Sequence, residues 1–331
     1  MKKEKVYFFP PHPRFEEYGN PYSQNYRDAL KKRYEIANLD GIPHLASSVS
    51  MVLNIFRADI YIINWMENVG YSKLGDIQFL LDRFALWAIK KRGKKIVWMF
   101  HNIHPHGGHN KYSLWLHDYF FKNASLIIAH SKEAAEYAKG HTEKKVLYVC
   151  HPIHPIKMKD NTDIVVESCD VLIWGSVVPY KGVYEFLQQA TERKTDLRIR
   201  ILGECESKSL AKQIKGLCNG RITFENRRAS FEEIAASIKK SHYTLFPYVG
   251  SCVSSSGALI DTIMMGGNPV GPNVGAFRDL ADEDVCHIYK DYDELFSILE
   301  HQNLSIGDKA RKEFYNNNSW DHLIDIIHDN L

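Results

Sequence analysis

Two hydrophobic rhythms alternate along the chain. Short β-branched or aromatic runs recur at Val6–Phe9, Tyr34–Ala37, Ile60–Trp65, Lys95–His101, Leu126–Ala129 and Val146–Cys150. Longer amphipathic stretches lie between them, among them Ser23–Lys32, Ile77–Lys91 and Lys132–Lys139. Short continuous apolar runs separated by helix-period segments predict parallel strands covered on both faces. A polar stretch, Lys157–Ser168, ends this series, and a second one follows. Its strands are predicted at Val171–Trp174, Arg198–Leu202, Ile222–Glu225, Tyr243–Pro247, Pro269–Gly271 and His287–Tyr289. Its helices are predicted at Val183–Glu192, Ser207–Leu217, Phe231–Lys239 and Gly257–Met265. The fold class is therefore α/β, as two consecutive doubly wound domains. Ligands are expected in a central cleft beyond the carboxyl ends of the strands. The domains are placed at 1–155 and 156–311. Residues 312–331, with a helix at Trp320–Ile327, are expected to pack back across them.

Composition leaves this picture intact. The 331 residues are 44% hydrophobic and 25% charged, as in an ordinary folded soluble protein. A net charge of +2 argues against a dedicated nucleic-acid binder. The charge is uneven, however. Residues 1–155 hold 22 Lys and Arg against 14 Asp and Glu, whereas the remainder holds 20 against 26. One half can thus meet an anionic partner such as a membrane surface; drift in solvated surface charge is the competing reading. The basic start, MKKEKVYFFPPHPRF, lacks the apolar core of a signal peptide, and no apolar run approaches the roughly 18 residues needed to span a bilayer. Six scattered cysteines without a CxxC pair point to a reducing, cytoplasmic setting.

Four segments can carry chemistry. The turn after the first strand ends in Gly19-Asn20-Pro21-Tyr22-Ser23, where Ser23 is a candidate cap for a helix start suited to an anion. The run from His101 to His109 follows an apolar strand. Its loose histidine spacing, without Cys or carboxylate, argues against a metal site. His101 is instead positioned to donate a hydrogen bond to a substrate hydroxyl or to bear on a reacting centre. In Trp174–Val183, Lys181 precedes a helix start and can place its charge on a phosphate, although no Walker pattern is present. Finally, Tyr248 and the run Ser254-Ser255-Ser256-Gly257-Ala258 open a helix, offering amides and hydroxyls to an anion. Together with Lys181 this run makes a two-sided diphosphate clamp. Taken alone, the Gly19–Ser23 turn reads more readily as an ordinary capped loop and Lys181 as a solvated surface lysine, and the serine run also fits a flexible loop with an N-cap.

In this order and spacing the segments resemble a GT-B glycosyltransferase, closest to glycosyltransferase family 4. The resemblance rests on His101-Asn102 with Pro105-His106, on Pro179–Val183, and on Pro247-Tyr248…Ser256-Gly257…Gly267–Val270…Gly275. It implies two Rossmann-like domains, the first binding an acceptor and the second a nucleotide-diphosphate sugar. Lys181, Ser256 and Gly257 then match the phosphate-binding positions, and His101 the histidine near the donor sugar. The resemblance also assigns Gly19, Asn20, Ser176, Tyr248, Ser254, Ser255, Ala258 and Asp261 to the donor. Tyr22, Asn102, His104 and His106 fall to the acceptor. Two departures stand out. Ser176 occupies the place of the family's arginine, for which Arg227 or Arg228 are the proposed substitutes. Ser254 and Thr262 occupy the places of its two glutamates, with Asp261 beside the second.

The implied activity is metal-independent transfer from a nucleotide-diphosphate sugar, with retention, to a saccharide or lipid-linked acceptor in polysaccharide or glycolipid biosynthesis. No cofactor, metal or nucleic acid is expected. The alternatives are a sugar-nucleotide epimerase on the same scaffold and a non-catalytic nucleotide- or saccharide-binding protein. The mixed segment Phe84–Lys95 and the aromatic stretch Tyr112–Phe121 further suggest peripheral contact at the inner face of a membrane; the competing reading places Phe84 and Trp87 in the core.

Overall fold

Val6, Phe8, Ile60, Ile62, Val97 and Met99 are fully or almost fully buried, and so are the intervening Tyr7, Tyr61, Trp98 and Phe100. Strands apolar on both faces must be covered on both faces, which is the situation of a parallel sheet. The computed structural model, which describes residues 3–11, 21–38, 46–71, 74–103, 110–155, 164–250 and 253–331, has this arrangement twice. The first sheet comprises β1 (Lys5–Phe9), β2 (Glu35–Ile36), β3 (Ile60–Asn64), β4 (Lys95–Phe100), β5 (Leu126–Ala129) and β6 (Val146–Tyr148). Its order is β2-β1-β3-β4-β5-β6, parallel throughout, with Phe9 level with Ile63 and Ile63 with Trp98. The second comprises β7 (Cys169–Trp174), β8 (Ile199–Leu202), β9 (Ile222–Glu225), β10 (Ser241–Leu245), β11 (Pro269–Pro272) and β12 (His287–Tyr289), ordered β12-β11-β10-β7-β8-β9.

The helices of the first series are α1 (Pro21–Arg33), α2 (Ser47–Leu53), α3 (Gly75–Lys91), α4 (Lys111–Asn123) and α5 (Lys132–Lys139). Those of the second are α6 (Val183–Glu192), α7 (Lys208–Leu217), α8 (Phe231–Lys239), α9 (Gly257–Met264), α10 (Gly275–Ala281), α11 (Tyr292–His301) and α12 (Asp308–Asn317). The chain forms two compact units: residues 1–154 with 318–331, and residues 155–317. The last helix, α13 (Trp320–Asp329), therefore belongs to the first unit. It buries Leu323, Ile324 and Ile327 in the core of the first sheet, worth roughly 1.5–3 kcal/mol each. Lys32–Asp321 at 2.7 Å and Tyr34 Oη to His328 Nδ1 at 3.0 Å fasten its outer side to α1 and the residue that follows it. Residues 312–317, expected to travel with it, stay in α12 and the second unit.

Three local expectations change. Helix α1 starts at Pro21, so Ser23 lies inside its first turn rather than capping it; proline is favoured at a first helical position. β10 begins and ends two residues earlier than predicted. Helix α2 was not foreseen, because it buries Ser47, Ser48 and Ser50 beside Met51 while exposing Val49 and Leu53, against the pattern of an ordinary amphipathic helix. No described helix is long and apolar enough to cross a membrane.

Candidate functional site

In the second sheet the chain winds outward from β7 through β8 and β9, then returns to β10 on the other side of β7. The loops after β7 and β10 therefore diverge at a topological switch point, where such sheets hold their ligands. These loops carry the phosphate-binding candidates. After β7 come Gly175, Ser176 and Pro179–Lys181, leading into α6; after β10 come Tyr248 and the serine run leading into α9.

Close backbone contact welds the loops together. Gly182, at φ +64°, lies so near the Pro247 carbonyl that a Cβ would sit 2.0 Å from its oxygen. Val249 N donates to Tyr180 O at 2.9 Å, and the Tyr180 and Tyr248 rings meet edge to face at 5.8 Å. Tyr248 Oη and Ser256 Oγ are hydrogen-bonded at 3.2 Å, while Ser256 caps α9 by accepting from Leu259 N. On the far side of β7, Gly203 presses on Gly175, where a Cβ would meet the Gly175 oxygen at 1.8 Å. Only glycine fits at either crossing.

Lys181 stands at the centre of this junction. Its Nζ donates to Ser176 Oγ at 3.1 Å and lies 5.7 Å from the Tyr248 ring centroid. Among the described residues no carboxylate pairs with it. Burial pulls its pKa down from 10.5 to about 8. An ammonium that is partly desolvated and left without a counter-ion is costly by itself, and it is satisfied by an anion brought from outside. The start of α9, with Ser255 to Ala258 partly exposed, supplies amides and the positive end of a helix on the other loop.

The remaining donor candidates have prior commitments. Arg227 is gripped by Glu225 at 2.6 Å and by Glu233, which raise its pKa further. Arg228 pairs with Glu204 at 2.5 Å. Arg227 is therefore part of an ion-pair cluster with Arg200, rather than a spare cation standing in for the arginine replaced by Ser176. Thr262 accepts from Trp174 Nε1 at 2.9 Å and donates to Ala258 O, so it ties α9 to β7. Ser254 and Asp261 are both buried. Gly19, Asn20, His104 and His106 lie outside the described residues.

The first sheet has its own constellation. Asn64 and Trp65, His101, His130 and His151 stand at or just beyond the carboxyl ends of β3, β4, β5 and β6, gathered around Tyr22 of α1. Tyr22 is 5.2 Å from His101, 5.7 Å from His130 and 5.2 Å from His151, centroid to centroid. Trp320 of α13 closes the group at 5.0 Å from Tyr22. Asn64 Nδ2 donates to Phe9 O at 2.9 Å, which turns Asn64 Oδ1 toward His101 Nε2 at 3.1 Å. His101 thus carries its proton on Nε2, leaving Nδ1 as an acceptor. His130 gives its Nδ1 proton to Val149 O at 2.8 Å and takes a hydrogen bond from Tyr22 Oη at Nε2, 2.9 Å away.

Burial holds all three histidines neutral: His130 falls to about 4, and His101 and His151 lie well below the ordinary 6.5. In this neutral tautomer the free ring nitrogen of His101, Nδ1, is an acceptor, whereas the sequence suggested a donor. Trp65 stacks on His101 at 4.3 Å in the left-handed conformation, φ +51°, uncommon for a bulky residue and typical of functional sites. Asn102 follows His101 and is partly exposed. Asn64, Trp65, His130 and His151 were missed. Their signal was available, since Asn64 and Trp65 are the last two residues of one predicted strand and His130 and His151 directly follow two others.

No protein-family model and no curated protein matches the sequence. Solved structures do. HepE of Anabaena, in complex with UDP and glucose, matches at TM-score 0.70 and 14% identity, over 99% of this chain and all of that one. The lipopolysaccharide outer core galactosyltransferase WaaB matches at TM-score 0.65 and 14% identity, over 99% and 100%. AviGT4, a glycosyltransferase involved in avilamycin A biosynthesis, matches at 0.61 and 13%, over 99% and 96%. At such identities the likeness is one of fold, and it spans both sheets.

Proposed function

We propose, for a chain whose fold is that of the GT-B glycosyltransferases, that it moves a sugar from a nucleotide-diphosphate sugar to a saccharide or lipid-linked acceptor. The observation that carries this reading is Lys181: a partly buried cation with no carboxylate partner among the described residues, at a switch point where two loops and the start of α9 converge. The second unit is the donor side. As the glycosidic bond to the diphosphate breaks, negative charge grows on the departing oxygen. Lys181, the Ser256 hydroxyl and the first amides of α9 are already in place to receive it, and such preorganised groups lower a barrier most effectively. Retention at the anomeric carbon and a place in polysaccharide or glycolipid assembly belong to the same proposal. The first unit is the acceptor side, where neutral His101 takes a hydrogen bond from an acceptor hydroxyl at Nδ1.

One observation favours a second reading, a nucleotide-binding protein without turnover. Thr262, where the family resemblance places a ribose-holding glutamate, is committed to Trp174. Thermal shift against UDP-, GDP-, ADP- and CMP-sugars tests both, because a ligand that binds the folded state raises its melting temperature by mass action. UDP-sugars are the first to try, since the HepE structures contain UDP and UDP-glucose. A shift accompanied by sugar release or transfer supports the enzyme. A shift without turnover supports the binder, and no shift with any of the four overturns the donor site.

A further inference from the structure

Eight of the fourteen large apolar side chains exposed among the described residues lie between Val49 and Trp87. On α3 they form a line. Ile77, Leu80, Phe84 and Trp87 are 58%, 62%, 52% and 56% exposed, and their spacing of three, four and three residues keeps them on one side of the helix. The opposite side of α3 buries Gln78, Phe79, Asp82, Ala85, Leu86 and Ile89. The helix is thus apolar on two faces, and only one of them is buried among the described residues. Its neighbour α2 is inverted, with serines inward and Val49 and Leu53 outward. The inward serines meet polar company: Ser50 accepts from Tyr7 Oη at 3.1 Å, and Ser48 stands close enough to the buried Asp82 carboxyl to offset part of the rise that burial gives its pKa. Phe56, 78% exposed just beyond α2, lies under the Arg92 guanidinium, 4.7 Å from the ring centroid, at the end of α3. That contact extends the ridge past Trp87.

The charge around the ridge is mostly positive. Arg57, Arg83, Lys90, Lys91 and Arg92 are exposed. Of the nearby acids among the described residues, Glu67 and Asp82 are buried, and Asp59 is paired with Lys94 at 2.7 Å, which leaves the exposed Asp76. The aromatic residues of α4 do not contribute in the way the sequence suggested. Phe120 and Phe121 are buried, and Trp115 packs on Phe79 at 5.3 Å. The reading that put Phe84 and Trp87 in the core also fails, because both face solvent.

We propose that the ridge of α3, with α2 and Phe56, docks this protein on an anionic lipid bilayer. Apolar side chains with a cationic rim match a surface that is negative at its headgroups and apolar a few ångströms below. A second copy of the chain is a poorer occupant, because a face-to-face pair would bring five exposed cations against five others with one exposed acid, Asp76, on each side.

The test is co-sedimentation of the full chain with phosphatidylcholine vesicles and with vesicles enriched in phosphatidylglycerol. The wild type should bind the anionic vesicles and lose binding as salt rises. The double variant Phe84→Glu, Trp87→Glu should lose at least tenfold in affinity, and Lys90→Glu, Lys91→Glu about fivefold or more per site. Circular dichroism and the UDP-induced thermal shift should stay at wild-type values in both. Those controls read the fold and the second unit, so failure here and failure of the donor reading are distinguishable. Absence of binding to anionic vesicles, equal binding to both vesicle types, or a concentration-dependent dimer abolished by the double variant without vesicle binding would each overturn the proposal.

Discussion

Replacing Lys181 by methionine should move stability and donor binding in opposite directions. Burial lowers the ammonium from 10.5 to about 8, a cost to the charged form of ~3 kcal/mol at 1.36 kcal/mol per pKa unit. The group keeps contact with solvent, and screening reduces the figure to roughly 1–2 kcal/mol. Methionine retains much of the apolar stem without the charge, so the ligand-free variant should be more stable by that amount, or about 2–8 °C in Tm. The folded-state pKa lies below that of the unfolded chain, so the wild type bears the whole cost below pH 8 and recovers it as pH rises toward 10.5. The stability gap between variant and wild type should close across that window. With a diphosphate bound, a phosphate oxygen about 4 Å from the ammonium gains ~4 kcal/mol at an effective dielectric near 20. Its loss lowers UDP affinity by roughly three orders of magnitude. Scanning calorimetry without ligand, at neutral and alkaline pH, and calorimetric titration with UDP read the two effects separately. A Lys181→Met protein that melts below wild type at neutral pH, or that binds UDP unchanged, would refute the reasoning.

Other substitutions probe the frame around the site. Gly182→Ala puts a Cβ 2.0 Å from the Pro247 oxygen at a positive φ, and urea denaturation should show a loss of more than about 2 kcal/mol together with weakened UDP binding. Thr262→Val leaves the Trp174 indole N–H without its acceptor; stability should fall by ~1–3 kcal/mol while UDP affinity is unchanged, and a drop in affinity would give Thr262 a role in the site. His130 is held at about 4, so its contribution is lost as pH falls from the unfolded value near 6.5. Wild type should lose ~2 kcal/mol relative to His130→Gln between pH 7 and pH 5, and a constant difference would contradict its neutral burial. Burial raises the Asp82 carboxyl to about 7, which works in the other direction: its contribution is present at low pH and lost as pH rises through 7. Asp82→Asn should accordingly gain on wild type between pH 5 and pH 8 in the same denaturant series.

Much of the fold was legible because the central strands of the first sheet are apolar at nearly every position, a pattern that admits few structures other than covered parallel sheets, and short strand-like runs alternate with helix-period segments in both series. The donor candidates were legible because glycine, serine and lysine cluster at two strand-to-helix turns. Helix α2 was not, since Val49 and Leu53 point outward while three serines are buried beside Met51, Ser50 held by Tyr7. The histidine cluster was only partly visible. His101 stands in a conspicuous run, while His130 and His151 are single residues whose kinship appears only when β4, β5 and β6 lie side by side.

What the amino-acid order determined by itself was local: which segments become strands and helices, where helices start, and which residue types stand at strand ends. These follow from backbone sterics and the spacing of apolar side chains over a few residues, and neither needs the rest of the chain. What the tertiary structure decided was who meets whom. It left Lys181 without a carboxylate while giving Arg227 two, and it turned Trp87 to solvent and Phe120 to the core. It also returned α13 to the first unit, where Trp320 closes over Tyr22. Charge compensation and burial are properties of neighbours distant in sequence, and sheet order, rather than sequence pattern, brings those neighbours together.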